Sequence, residues 1–204
     1  MKLCVYAICK NERKHIDTWL ERVKEADCVV VLDTGSTDGT WEILQQSGIK
    51  CYQKMIKPWR FDVARNEALK LVPDDCEICL PLDIDQIVLK GFSGVIKASW
   101  QQDTSILQIP QYFKPTNTSG MWYAHSRVNC YWKYPVHEQI KSTSGKTTST
   151  IATIIIHDFE INKPSHETYL ELAELGQKEN PIDPYCLMVR HKIKNLLDSE
   201  RGSN

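Results

Sequence analysis

No apolar run in these 204 residues approaches the roughly 20 positions needed to cross a bilayer, so no membrane span is expected. Neither sign of charge dominates. The 25 basic side chains stand against 26 acidic ones, which removes the electrostatic case for a nucleic-acid or anionic-membrane partner. No internal repeat and no low-complexity segment interrupts the chain. The amino-terminal MKLCVYAICKNE meets charge too early for a signal peptide, and a cytoplasmic location is the expectation. No G-x-G-x-x-G follows the first strand-like run, which speaks against an NAD-dependent oxidoreductase.

Cysteine is plentiful, yet a disulfide framework and a complete zinc set are both missing. Cys76-Glu77-Ile78-Cys79 has the spacing of a zinc half-site, but no second pair or His-x-His partner matches it. Cys4, Cys9, Cys28, Cys76, Cys79 and Cys130 fall in or beside apolar, strand-like segments and read as reduced, buried thiols.

What is present is ordinary globular composition, with 42% apolar and 25% charged residues, enough for one substantial core. Strand-like runs over Lys2 to Cys9, Cys28 to Leu32, Lys50 to Lys54 and Glu77 to Leu82 alternate with helical periodicity. The helices are expected over Arg13 to Ala26, Asp38 to Gln46 and Phe61 to Leu71. That alternation predicts an α/β fold, a Rossmann-like, mostly parallel sheet with helices on both faces. After Asp85 comes a helix over Phe92 to Gln101. Strands are then expected over Ser105 to Phe113, Trp122 to Trp132, Val136 to Lys141 and Thr150 to His157. Two helices, Glu167 to Lys178 and Tyr185 to Asp198, form a short C-terminal helical tail.

Four segments carry chemistry. Lys10-Asn11-Glu12 follows the first strand, and DTGSTDGT from Asp33 follows the second. FDVARNEAL contains Arg65, and Leu82-Asp83-Ile84-Asp85 ends a buried strand. Open α/β sheets keep their ligands at the carboxyl ends of strands, which is where these polar groups fall. Two carboxylates two residues apart can hold a hard divalent cation and a sugar hydroxyl together. Taken alone, Asp-x-Asp is a weak signal, and DTGSTDGT could be only a tight turn.

The ordered set resembles the family-2 glycosyltransferases with the GT-A nucleotide-diphospho-sugar fold, over Lys2 to about Gln86. A W-x-F-x-x-A-R-N signature at Trp59, Phe61, Ala64, Arg65 and Asn66 is similar to the bacterial and phage-type branch. The resemblance implies an inverting transfer from a nucleotide sugar, most simply a UDP-sugar, with Mn²⁺ or Mg²⁺ as cofactor. It implies that Asp33 accepts a hydrogen bond from the base, that Lys10, Asn11 and Glu12 line base and ribose, and that Gly35 and Ser36 pack close to the nucleotide. Arg65 would reach the nucleotide or its diphosphate, Asp83 the ribose or sugar, and Asp85 the metal. Glu138 is the expected general base, with His137 orienting it or touching the donor phosphate. His157 is either a second metal ligand, one that suits Mn²⁺ better than Mg²⁺, or a cap on its strand through a backbone hydrogen bond.

The implied layout is a GT-A domain over residues 1–160, with a nucleotide-binding half at 1–86 and a strand-rich acceptor half at 87–160. Residues 161–204 form a C-terminal helical extension. The acceptor, whether glycan, lipid or protein, is left open, as is a homo-oligomer. The Gln-x-x-Arg-Trp motif and membrane helices of processive members are missing. A catalytically degenerate module that binds nucleotide without turning it over is the competing expectation. Tyr123, Arg127, Tyr131 and Trp132 are candidates for a wall against a sugar ring.

Overall fold

The structure is a computed structural model that describes residues 1–114, 116–157 and 166–201, without the side chains of residues 166, 200 and 201. The expected boundary at 160–161 lies outside the described residues. Four parallel strands form the front half: β1 (Leu3–Cys9), β2 (Cys28–Asp33), β3 (Lys50–Gln53) and β4 (Ile78–Pro81). They are linked by helices α1 (Ile16–Val23), α2 (Thr40–Gln46) and α3 (Phe61–Lys70). The back half adds β5 (Gln86–Val88), α4 (Phe92–Ser99), β6 (Thr104–Phe113), β7 (Thr118–Ser126) and the small pair β8 (Cys130–Lys133) and β9 (Gln139–Ser142). β10 (Lys146–Ser149), β11 (Ile155–His157), α5 (His166–Glu179) and α6 (Pro184–Arg201) complete it. The main sheet runs β3-β2-β1-β4-β7-β6-β11-β5, with β10 beside β6.

Alternation along β1 explains why helices cover both faces. Leu3, Val5, Ala7 and Cys9 pack in one core with Ile16, Trp19, Leu44, Phe92 and Ile96. Cys4 and Tyr6 face the other way, against Ala68 and Leu69 of α3. A strand buried on both faces reads as a continuous apolar run, as β1 does. Among the described residues no helix is long and apolar enough to cross a membrane.

Three expected elements differ. The strand expected over Thr150 to His157 is confined to β11 (Ile155–His157), while β10 (Lys146–Ser149) was not anticipated. The single strand over Trp122 to Trp132 is two strands, because the chain leaves the sheet at Arg127–Asn129 and Asn129 adopts a left-handed φ of 64°. His137 and Glu138 do not open a strand. Tyr134 and His137 have φ of 83° and 50°, so that stretch is irregular and β9 begins at Gln139. β5 carried too short an apolar run to be anticipated.

Candidate active site

The strand order reverses at β1, with β2 on one side and β4 on the other, so the connections diverge and leave a crevice at the carboxyl ends. A cleft of about 350 Å³ occupies that crevice. Of the expected residues, Lys10, Glu12, Arg65, Asp83, Asp85 and His157 line it.

Beside the cleft, the loops after β1 and β2 are stitched together. The Asn11 side-chain oxygen accepts the Thr37 N–H at 2.8 Å, and the Asn11 N–H donates to the Ser36 hydroxyl at 2.9 Å. The Glu12 N–H donates to Thr40 Oγ1 at 2.9 Å. Asp33, fully buried, accepts the Gly35 and Ser36 N–H groups at 2.9 Å each and Gln53 Nε2 at 3.1 Å. Burial opposes its charge, but the hydrogen bonds from Ser36, Gln53 and Gly35 win and hold the carboxyl below its ordinary range. Gly35 has φ of 109°, and an added Cβ would stand 2.5 Å from Met55 Sδ. Asn11, Asp33, Gly35 and Ser36 therefore build the turn that borders the cleft.

The end of β4 is held from two sides. Trp122 Nε1 donates to the Pro81 carbonyl at 2.5 Å and Trp19 Nε1 to the Leu82 carbonyl at 3.2 Å, satisfying acceptors where the strand leaves the sheet. A tight turn follows, with the Gln86 N–H on the Asp83 carbonyl and the Asp83 N–H on Gln86 Oε1, both at 2.9 Å. The two carboxylates go to different partners. β11 pairs antiparallel with β5, setting His157 opposite Gln86, and His157 Nε2 lies 3.0 Å from Asp85 Oδ2. Asp83 takes both ends of the Arg65 guanidinium, at 2.8 and 3.0 Å.

Arg65 also donates through Nε to Glu138. Its side chain is 6% exposed and Glu138 is 10% exposed. Burial disfavours the guanidinium charge, but Asp83 and Glu138 outweigh it and raise Arg65 above its ordinary value. The guanidinium lies 4.9 Å from the ring of Trp132 and 5.7 Å from that of Trp122. Beneath, Trp132 Nε1 donates to Tyr6 Oη at 2.7 Å, and Tyr6 meets His125 Nε2 at 2.7 Å. His125 Nδ1 lies 2.8 Å from the Ser126 carbonyl, so its proton belongs on Nδ1 and Tyr6 donates to Nε2. Burial pulls His125 down to about 4 and keeps it neutral.

The C-terminal helices brace the other rim. Tyr185 Oη donates to the His137 carbonyl at 2.6 Å, Tyr134 Oη donates to Asp183 at 2.6 Å, and Arg60 bridges Asp62 and Glu179. Tyr169 of α5 stacks on Phe61 at 6.0 Å and on His137 at 6.3 Å, and it lines the cleft with Trp59 and Phe61. Sequence reasoning missed Tyr169, since one tyrosine on an amphipathic helix carries no signal. Arg127 does not line the cleft: it pairs with Asp74, and its backbone N–H donates to the Glu77 carbonyl. Trp132 is core beneath Arg65, Tyr123 packs against the small core around Trp132, and Tyr131 is exposed.

A family model described as glycosyl transferase family 2 matches residues 4–163. No curated relative matches at a significant level. The structure of S. aureus TarS is 16% identical at a TM-score of 0.63, covering 96% of this chain and 43% of that one. This chain thus spans less than half the length of TarS. TarS 1–349 in complex with UDP-GlcNAc is 16% identical at a TM-score of 0.61, covering 96% and 72%. Glucosyl-3-phosphoglycerate synthase from Mycobacterium tuberculosis, in complex with Mg²⁺ and UDP, is 15% identical at a TM-score of 0.60, covering 85% and 78%. At these identities the likeness shows a shared GT-A fold.

Proposed function

The chain belongs to glycosyl transferase family 2, and from that premise we propose that it transfers a sugar from a UDP-sugar to an acceptor hydroxyl by metal-assisted, inverting displacement. One observation carries the reading: Asp83, Asp85, His157 and Arg65 converge in one cleft at the switch point of the sheet. The UDP-GlcNAc and UDP complexes of the two neighbours support the choice of donor.

The donor set fits a divalent cation. A carboxylate oxygen and an imidazole nitrogen already lie 3.0 Å apart, and nitrogen ligation favours Mn²⁺ over Mg²⁺. Held by Asp85 and His157, the ion would supply Lewis-acid stabilisation to the departing diphosphate. Lys10 adds positive charge at the cleft wall, and Asp83, fixed by Arg65, accepts a hydrogen bond from a ribose or sugar hydroxyl. The acceptor oxygen attacks the anomeric carbon from the face opposite the diphosphate. The new C–O bond forms as the bond to phosphate breaks, and the acceptor proton passes to the Glu138 carboxylate. His137 and the turn held by Tyr185 position Glu138, while Asp33 holds the turn bordering the base. The ion pair that occupies Glu138 favours a second reading, a module that binds nucleotide without turnover.

Thermal unfolding with UDP, GDP, dTDP and CDP, each with Mn²⁺, Mg²⁺ or EDTA, tests the donor site. Saturation at 100 times the dissociation constant is expected to raise the midpoint by about 5–10 °C for UDP with metal. The shift should vanish with EDTA and in Asp85→Ala. A folded protein that responds to no nucleotide would sink the proposal. A response without release of UDP from any UDP-sugar would favour the binding module.

A further inference from the structure

Parallel register pairs Cys4 with Cys28 on one side and with Cys79 on the other. Three thiols thus stand in a row across β2, β1 and β4, on the face covered by α3. Cys76, in a turn closed by its own N–H on the Pro73 carbonyl, lays a fourth thiol against that row. The sulfurs of Cys4, Cys28 and Cys76 all lie within 4.8 Å of one another. The cluster sits near the amino ends of these strands, whereas Asp33 and Asp83 lie at the carboxyl ends of theirs. It is separate from the proposed active site.

We infer that Cys4, Cys28 and Cys76 form a binding site for a soft, thiophilic metal ion such as Zn²⁺. Thiolate sulfur selects Zn²⁺ and Cu⁺ over the hard cations suited to Asp83 and Asp85. A Zn–S bond of about 2.3 Å requires sulfurs about 3.8 Å apart in a tetrahedron, so the three draw in by at most about 1 Å. Side-chain rotation at Cys28, half-buried at the edge of the cluster, and at Cys76, in a turn, supplies that movement. Cys79 flanks Cys4 in the sheet but is not among the three mutually close sulfurs. Cys76 of the zinc half-site thereby gains, in Cys4 and Cys28, the partners that its sequence neighbourhood lacked. Each thiol gives up its proton as a metal–sulfur bond forms, so binding weakens as pH falls. The Lys2–Asp75 ion pair, at 2.5 Å, borders Cys76, whose thiol faces the Asp75 carboxylate at 3.9 Å.

The reduced, full-length protein is titrated with Co²⁺, and with Zn²⁺ in competition against a chromophoric chelator. Sulfur-to-cobalt charge-transfer absorption should appear and saturate at one equivalent. Cys28→Ser and Cys76→Ser should each raise the dissociation constant by more than about 100-fold, beyond the effect of losing an outer partner. Cys51→Ser and Asp85→Ala should leave the absorption intact, which separates this site from the proposed active site. Alkylation with peptide mapping should show Zn²⁺ protecting half-buried Cys28. Circular dichroism of each variant without metal establishes folding, and half-buried Cys28 carries the test if Cys76→Ser does not fold. Absence of thiolate absorption in the folded wild type, unchanged binding in the folded variants, or undiminished alkylation of Cys28 in the presence of Zn²⁺ would each overturn the inference.

Discussion

Replacing Arg65 with methionine keeps the apolar stem and removes the charge that joins Asp83 to Glu138. Three donors are lost: the pair at 2.8 and 3.0 Å to Asp83 and the one to Glu138. Breaking a buried ion pair by removing one partner costs about 3–5 kcal/mol, because the remaining charge is stranded. Asp83 is 23% exposed and recovers some hydration, which places the expected loss near about 3 kcal/mol. At about 2–4 °C per kcal/mol for a chain of this size, the midpoint should fall by about 6–12 °C. Thermal and urea unfolding of Arg65→Met, Glu138→Gln and the double variant measure the coupling directly. The double variant should be more stable than Arg65→Met, since one stranded carboxylate is gone. A midpoint within about 2 °C of wild type for Arg65→Met would refute the clamp and leave Arg65 as a ligand-facing side chain only.

His125 carries a pH prediction. Its folded value of about 4 lies below the ordinary 6.5, so the unfolded chain binds the extra proton first as pH drops. The stabilisation is complete above about pH 6.5, declines below it and is lost by about pH 4, a total of about 3 kcal/mol. Denaturant unfolding across that range should show a shallower pH slope in His125→Gln than in wild type; equal slopes would remove His125 as the cause. Gly35→Ala forces a side chain into a positive φ and against Met55, and should cost about 1–3 kcal/mol in urea unfolding. Met55→Ala in the same chain should recover part of that loss, and no recovery would locate the strain in the backbone alone. His157→Ala should weaken the Mn²⁺ dependence of UDP binding more than the Mg²⁺ dependence, read by calorimetry. Equal weakening would show that imidazole is no ligand.

Much of the architecture was legible because it is local. The apolar runs of β1 and β2 and the periodicity of α3, α5 and α6 announce themselves within a dozen residues. Motif position was legible too, since polar residues after a buried strand must fall at its carboxyl end. The breaks at Asn129 and His137 were not legible, because the β-forming residues on either side mask a left-handed backbone.

The sequence alone determined a mostly parallel α/β sheet, its two helical faces and the segments that border the cleft. Only the tertiary structure decided the partnerships: Asp85 with His157, Arg65 between Asp83 and Glu138, Tyr169 over Phe61, and Cys76 against Cys4 and Cys28. Each joins residues far apart in the chain. Strand order and register place them, and both emerge from packing of the whole core rather than from any one segment.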